Sequence, residues 1–277
     1  MDDRVLRVRG LSKIYGRECP VCRTCAGPEN GVSHCFACGS VVAMQNVSFD
    51  LHAGEILGVM GESGSGKSTL VKCLYFDEQP TSGSALLTLN GVSYDLFALN
   101  GAQKRWVRSH RMGMVYQNPQ HGLNFRISCG GNIAEKLLIN DVLCYGDITA
   151  RARELLERTE VPVARMDEPP GNFSGGMQQR VQIAKATANN PPLLLLDEVT
   201  TGLDVSVQAR ILDLILELQS MLETTMIVVT HDLGVIRLLS ERTIVMKNGC
   251  IVEIGLTDQI LEDPQHAYTQ RLVSSAL

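Results

Sequence analysis

Alternating apolar and polar positions open the chain. Val5-Leu6-Arg7-Val8 and Val47-Ser48-Phe49-Asp50-Leu51 predict two half-buried strands of an antiparallel sheet, with a cysteine-rich segment between them. Glu55-Ile-Leu-Gly-Val-Met60, Met112 to Tyr116, Leu193-Leu-Leu-Leu196 and Met226 to Thr230 are short continuous apolar runs, the pattern of strands buried on both faces. Helical patterns fall at Thr69 to Tyr75, Asn132 to Leu138, Thr149 to Glu160 and Ser206 to Leu222, and Pro162, Pro169 and Pro170 close the region after the third of these. Thr243 to Met246 and Cys250 to Glu253, around Asn248-Gly249, predict a β-hairpin. Strands alternating with helices predict an α/β fold with a mainly parallel core sheet, and the opening strands a smaller antiparallel sheet beside it.

Composition narrows the classes. At 277 residues with 44% hydrophobic and 20% charged side chains, the chain makes one large domain or two small ones, and disordered, collagen-like and low-complexity classes are excluded. No apolar run reaches the roughly 18 to 20 residues of a membrane-spanning helix, so a membrane role would come through a partner, not by direct insertion. Met1-Asp2-Asp3 is unlike a secretory leader, and a cytoplasmic location is expected. A net charge of −5 offers no basic surface for a nucleic-acid backbone. The local run Lys104, Arg105, Arg108 and Arg111 reads as a solvated helix face leading into a strand. Of nine cysteines, Cys73, Cys129, Cys144 and Cys250 are scattered and read as small core residues; the other five need separate treatment.

The chemistry starts at Gly61-Glu62-Ser63-Gly64-Ser65-Gly66-Lys67-Ser68, the full phosphate-loop pattern between a buried strand and a helix that begins near Thr69. Glycines there let backbone N–H groups turn toward phosphate oxygens, Lys67 reaches the β- and γ-phosphates, and Ser68 offers a hydroxyl to Mg²⁺. A chance glycine turn would lack the flanking strand and helix. Asp197 and Glu198 end an apolar strand, where Asp197 would hold the Mg²⁺ shell and Glu198 would polarise the water that attacks the γ-phosphate. Without the phosphate loop upstream, the same pair would read as a helix N-cap.

Further motifs follow in order. Phe173-Ser174-Gly175-Gly176-Met177-Gln178-Gln179-Arg180, about twenty residues before Asp197, resembles the signature motif of ATP-binding cassette ATPases. Gln117 sits where that family has its Q-loop, Thr201-Gly202-Leu203-Asp204 resembles its D-loop, and His231 is placed like its switch histidine. The resemblance implies a P-loop NTPase cassette: a nucleotide-binding core with β subdomain at 1–117 and 181–277, a helical subdomain with the signature motif at 118–180, and a cysteine-rich insert at 19–38. It also implies a homodimer that sandwiches two ATP molecules. Glu62, Ser63, Gly64, Ser65, Gly66, Lys67, Ser68 and Thr69 would wrap the phosphates, Ser68, Gln117 and Asp197 would surround Mg²⁺, and Tyr15 would stack on adenine. Ser174, Gly175 and Gly176 would reach the γ-phosphate from the partner copy, Asp204 would touch the partner's catalytic region, and His231 would hold the γ-phosphate. ATP would favour the closed dimer and hydrolysis would release it. Two positions depart from the pattern: Met177 stands where glutamine is usual, and Val199 where proline commonly follows the glutamate.

Asp204-Val-Ser-Val-Gln-Ala-Arg-Ile-Leu-Asp213 and Asp263-Pro-Gln-His-Ala-Tyr-Thr-Gln-Arg-Leu272 resemble a branch that includes peptide-importer ATPases and the ATP-binding subunits of bacterial carbon–phosphorus lyase systems. Importers tend toward Ser-Leu-Asn-Pro after the Q-loop. His121-Gly-Leu-Asn-Phe-Arg126, Gly130-Gly-Asn-Ile-Ala-Glu135, Tyr145-Gly-Asp-Ile148 and the ending Leu272-Val-Ser-Ser-Ala-Leu277 are similar to the lyase side. That resemblance implies docking, through the helical region, on the soluble subunits of a lyase core, where ATP drives a conformational step of phosphonate breakdown and the chain does not itself cleave the carbon–phosphorus bond. The importer alternative implies membrane permease partners; a third alternative, a non-catalytic assembly module, would show no ATPase activity.

Cys19, Cys22, Cys25, Cys35 and Cys38 form Cys-x2-Cys-x2-Cys-x9-Cys-x2-Cys with His34 alongside. Two Cys-x2-Cys pairs are the spacing of a small structural zinc site made by four of the five. An iron–sulfur cluster and unligated thiols are the alternatives. Cys35 and Cys38 make the second pair, while the first is Cys19 with Cys22 or Cys22 with Cys25. Lying between Tyr15 and the strand at Asn46, the insert would be a metal-stapled knob that tightens the hairpin bearing Tyr15 or contacts an enzyme core.

Overall fold

Each continuous apolar run is a buried strand in the computed structural model, which describes residues 3–275. Met1 and Asp2 of the acidic start, and Ala276 and Leu277 of the ending, lie outside the described residues. Along the chain, β1 (Arg4–Tyr15) is followed by a short helix α1 (Cys22–Cys25), then β2 (Val41–His52), β3 (Ile56–Met60), α2 (Lys67–Leu74), β4 (Ser82–Leu89), β5 (Val92–Asp95), α3 (Gly101–His110) and β6 (Met112–Val115). Next come α4 (Pro119–Gly122), α5 (Cys129–Ile139), α6 (Tyr145–Arg158), α7 (Gly175–Ala186), β7 (Leu193–Asp197), α8 (Val205–Leu222) and β8 (Thr225–Val229). The chain closes with α9 (Leu233–Leu239), β9 (Arg242–Lys247), β10 (Cys250–Leu256), α10 (Thr257–Glu262) and α11 (Ala267–Ser274). Among the described residues no helix is long and apolar enough to cross a membrane.

The chain forms two compact units, one running to Lys104 and resuming at Thr225, the other Arg105–Thr224. In the first, an antiparallel sheet has the order β2-β1-β4-β5, and β3 lies parallel to both β8 and β9, with β10 antiparallel at the edge beside β9. All five residues of β3 and of β8 are buried, the burial typical of strands in a parallel sheet. β9 and β10 turn at Asn248-Gly249, both in the left-handed region, which the mirror-image hairpin turn requires.

In the second unit β6 pairs parallel with β7, Met112 opposite Leu193 through Val115 opposite Leu196. Helices α5, α6 and α7 share a core that includes Ile133, Leu137, Leu155, Leu156, Phe173, Val181 and Ala184. α5 begins three residues before its apolar pattern because the Ser128 hydroxyl accepts from the Gly131 amide and caps it. The prolines after α6 lead into two single-turn 3₁₀ segments at Val163–Arg165 and Pro170–Asn172.

Among the scattered cysteines, Cys73 and Cys129 are core residues whose thiols burial pushes up to about 12, and Cys250 is half-buried. Cys144 departs from expectation: it is exposed, because it precedes the first turn of α6 and packs in no core.

Candidate nucleotide and metal sites

β3 runs straight into the phosphate loop. Gly61 (φ 149°) and Gly66 (φ 103°) hold conformations that L side chains resist, and a Cβ on either would strike backbone, the Met246 carbonyl and the Ala43 carbonyl respectively. Gly66 also caps α2, whose first residue, Lys67, is buried and donates to the carbonyls of Gly61 at 2.7 Å and Glu62 at 2.9 Å. The Ser65 hydroxyl is buried without a hydrogen-bond partner, an orphaned polar atom inside a loop of turned amides, which suits an oxyanion ligand. Tyr15 ends β1 half-exposed, with the Lys13 ammonium 4.6 Å from its ring centroid. Burial pushes its phenol up, against the lowering influence of nearby Thr69 on the loop's helix. His231 is exposed just beyond β8, which pairs with β3 in parallel; both strands therefore release their loops at the same end.

The second unit assembles the carboxylate and signature groups. β7 delivers Asp197 buried and Glu198 in the left-handed region (φ 47°), a strained conformation that needs a firm surround. Gln117, released from the same end of neighbouring β6, donates to the Glu198 carboxylate at 3.2 Å, and the Thr201 hydroxyl does so at 3.2 Å. Ser174 caps α7, its hydroxyl 3.4 Å from the Met177 amide, and Asp204 caps α8 by accepting from Ser206 Oγ at 2.6 Å and the Val207 amide at 3.0 Å. The Ser206 hydrogen bond leads in holding the Asp204 carboxyl below its usual range. Ser174, Gly175, Gly176 and Asp204, with Arg180 and Arg210, line a cavity of about 350 Å³. Both guanidinium groups lean on Glu160, at 3.2 and 3.7 Å, so the cavity carries two cations steadied by one carboxylate. Of the departing positions, Val199 is buried and Met177 packs on the helical core.

Some supports carry no motif. Gln182 accepts from the Tyr116 amide at 2.8 Å and donates to its carbonyl at 3.0 Å, while Gln179 donates to the same carbonyl at 3.1 Å. These buried glutamines fix the backbone directly before Gln117. In the first unit the Tyr268 hydroxyl accepts from the Glu62 amide at 3.1 Å. Polar residues three apart on an otherwise buried helix were the one available signal for the glutamines; Tyr268, 206 residues from Glu62, had none.

The cysteines divide four to one. The sulfurs of Cys19, Cys22, Cys35 and Cys38 lie within 4.8 Å of one another, with Cys22 to Cys38 at 3.4 Å, Cys19 to Cys22 at 3.5 Å and Cys19 to Cys35 at 3.6 Å. A tetrahedral zinc with Zn–S bonds of about 2.3 Å separates its sulfurs by about 3.8 Å, so the donor set fits that ion. Cys25 ends α1, its thiol directed to the Cys22 carbonyl at 3.6 Å, and stays outside the group. Burial opposes ionisation of Cys35, yet the neighbouring Cys25 thiol and the Cys38 and Ala37 amides bring it down to about 6. Cys22, despite a hydrogen bond from the Cys19 amide, is pushed up to about 12 by burial and by neighbouring Cys38 and Cys19. Crowded thiols that cannot all ionise alone are what a bound cation relieves.

Comparison with known proteins places these geometries. Residues 44–201 match the family model described as ABC transporter. The phosphonates utilization ATP-binding protein PhnK of Escherichia coli (strain K12) is 48% identical over 248 residues, 90% of this chain and 96% of PhnK. The oligopeptide transport ATP-binding protein OppD of Bacillus subtilis (strain 168) is 40% identical over 248 residues, 86% of this chain and 67% of OppD. Among solved structures, the dimeric post-hydrolysis state of the ATP-binding cassette MJ0796 bound to ADP and Pi aligns with a TM-score of 0.76 at 27% identity, covering 91% of this chain and 98% of that one. A matched family model that begins in β2 and ends past Glu198, on this fold, leaves one conclusion: the chain belongs to the ABC transporter family and is an ATP-hydrolysing cassette.

Proposed function

We propose that the chain is the ATP-driven cassette of a phosphonate-utilization system, closing as a homodimer on two ATP molecules to drive a conformational step of a carbon–phosphorus lyase complex. The observation that carries its chemistry is the Glu198 carboxylate, held by Gln117 and Thr201 at the end of a buried strand. A carboxylate so fixed can orient a water and take its proton. Gly61, Glu62, Ser63, Gly64, Ser65, Gly66, Lys67, Ser68 and Thr69 wrap the phosphates, Tyr15 stacks on the base, and His231 steadies the γ-phosphate. Ser68, Gln117 and Asp197 hold Mg²⁺, which supplies charge neutralisation at the phosphate oxygens. Ser174, Gly175 and Gly176 reach the partner copy's γ-phosphate from the arginine-flanked cavity, and Asp204 meets the partner. Cys19, Cys22, Cys35 and Cys38 bind structural zinc. The location is cytoplasmic, and the helical region at about 118–172 docks the soluble lyase subunits.

Support for the phosphonate role comes from the 48% identity to PhnK across nearly its whole length. The 40% identity to OppD supports a second role, the ATPase of a peptide importer. Affinity purification of the native complex separates them: a soluble phosphonate-cleaving assembly supports the first, membrane permease subunits the second. The catalytic assignment is tested by Glu198→Gln, expected to bind ATP and to hydrolyse it at least about 100-fold more slowly, the scale of losing one essential proton acceptor; wild-type turnover overturns it.

A further inference from the structure

The cysteine-bearing segment lies outside residues 44–201, and none of the nucleotide chemistry above uses it. Its backbone nevertheless continues into the nucleotide site by three routes, all within one compact unit. First, Tyr15 pairs with Val41 at the mouth of the segment, and the adjacent Ile14 and Val42 pack with Cys22, Ala26 and Cys35 in a small cluster of their own. Gly16 (φ 103°) presses against Ser40, whose hydroxyl donates to the Arg17 carbonyl at 3.0 Å. Tyr15 is thus set by the closure of the metal loop.

Second, the Cys35 amide donates to the Ser40 carbonyl at 2.8 Å and the Val42 amide to the Ser33 carbonyl at 2.7 Å. The next residue, Ala43, places its carbonyl against Gly66, the residue that starts the phosphate-loop helix. Third, Gln45 donates its side-chain amide to the Arg23 carbonyl in α1 at 2.8 Å and its backbone N–H to the Gly249 carbonyl at 2.8 Å; Gly249 in turn donates to the Ser65 carbonyl at 3.0 Å. The stretch Val41 to Gln45 is therefore bonded to the cysteine segment through Val42 and Gln45, while the phosphate loop rests on Ala43 and is tied to Gln45 through Gly249.

We propose that zinc held by Cys19, Cys22, Cys35 and Cys38 is a positioning element of the ATP site: it fixes Val41 to Gln45 beneath the phosphate loop and Tyr15 at the end of β1, so that the zinc-loaded chain binds ATP tightly and the stripped chain weakly. This rests on the ATP-binding and zinc assignments above. Gln117, Glu198 and Thr201 share no residue with these routes, so the effect falls on affinity and not on turnover at saturation. Linkage makes it reciprocal, and bound ATP tightens zinc by the same factor.

The test uses the full chain, with zinc measured by mass spectrometry and removed by a zinc-selective chelator, then restored. Stripping is expected to raise the Kd for ATP by about ten-fold, within the usual range of coupling between sites, with kcat at saturating ATP nearly unchanged and zinc re-addition restoring affinity. Inorganic tripolyphosphate, which has no base to meet Tyr15, should weaken less than ATP. Chelator competition with and without ATP should show zinc held about ten-fold more tightly when ATP is bound; a purely local staple would show no such dependence. Cys38→Ser should reproduce the stripped chain, and Cys25→Ser should bind zinc and ATP like the wild type. Equal ATP affinity of loaded and stripped chains, or a purified chain that binds ATP tightly without any metal, overturns the proposal. A zinc-loaded chain that binds no ATP instead defeats the nucleotide assignment itself.

Discussion

The phosphate loop, residues 61–68, and the cysteine segment, residues 19–38, both lean on Val41 to Gln45, yet they are held by different means. The phosphate loop hangs between a fully buried strand and a helix, and its glycines pass close to the Met246 and Ala43 carbonyls. Hydrogen bonds from Lys67, from Gly249 and to Tyr268 fix it further. The cysteine segment has one four-residue helix and a cluster of five buried residues, of which only Ile14 and Val42 are large aliphatics. Two such side chains, at about 1.5–3 kcal/mol each, do not order a segment of some twenty residues at about 1–2 kcal/mol per residue. Backbone packing suffices where a sheet supplies the walls; a loop without walls needs bonds from a metal.

The sharpest way to break this contrast is Gly66→Ala. The left-handed backbone and the Ala43 carbonyl together should cost about 3 kcal/mol, read as a lower midpoint in urea denaturation, while zinc content stays unchanged. A loss under about 1 kcal/mol would show that the loop is not held by close backbone approach. The matching experiment on the other region is Cys22→Ser beside Cys25→Ser. Metal content should fall well below one zinc per chain in the first and stay near one in the second, and protease cleavage within residues 19–38 should appear in the first alone. Zinc loss in Cys25→Ser would move the ligand set to the other pair.

How much of this was legible in the sequence follows the same division. Continuous apolar runs located β3, β6, β7 and β8, and the phosphate loop was readable because strand, glycines and helix are adjacent in the chain. β1 and β2 extend well beyond their alternating stretches, because register shifts such as those between Val8 and Leu11 break the period of two. β4, β5 and the terminal helices carried no readable signal: β4 opens on exposed Gly83 and Ser84, and β5 is short and mostly exposed. The choice between cysteine pairs was closed to spacing, since Cys22 lies three residues from both Cys19 and Cys25. α1 decides it geometrically, starting at Cys22 and turning Cys25 back toward the Cys22 carbonyl. Long-range supports such as Tyr268 to Glu62 exist only once the chain is folded.

Tyr268→Phe probes one such support. It removes the hydroxyl that accepts the Glu62 N–H and leaves the ring in place under Lys247. The expected cost is about 1 kcal/mol, with a modest rise in the Kd for ATP and none in zinc content. An unchanged ATP affinity would mean that the loop is already fixed by its glycines and Lys67.

The smallest effect tests how Tyr268 is itself held. Glu253 on β10 accepts from the Gln265 amide at 2.7 Å and the His266 amide at 3.1 Å, at the start of α11. Burial alone would raise the Glu253 carboxyl, but the nearby Thr269 side chain and the hydrogen bonds from the Gln265 and His266 amides outweigh it and hold the group below its usual range. A folded-state pKa below the unfolded value, about 4.3 for glutamate, means that the folded state gains from the ionised form. That stability is fully present above the unfolded value and is lost as pH falls through the lower folded one. Wild type and Glu253→Gln should therefore differ most in denaturation midpoint near neutrality, and the gap should close progressively below about pH 4.3. A gap that stays constant with pH would assign the difference to shape and not to charge, and would leave α11 anchored by the burial of Tyr268 and Val273 instead of by Glu253.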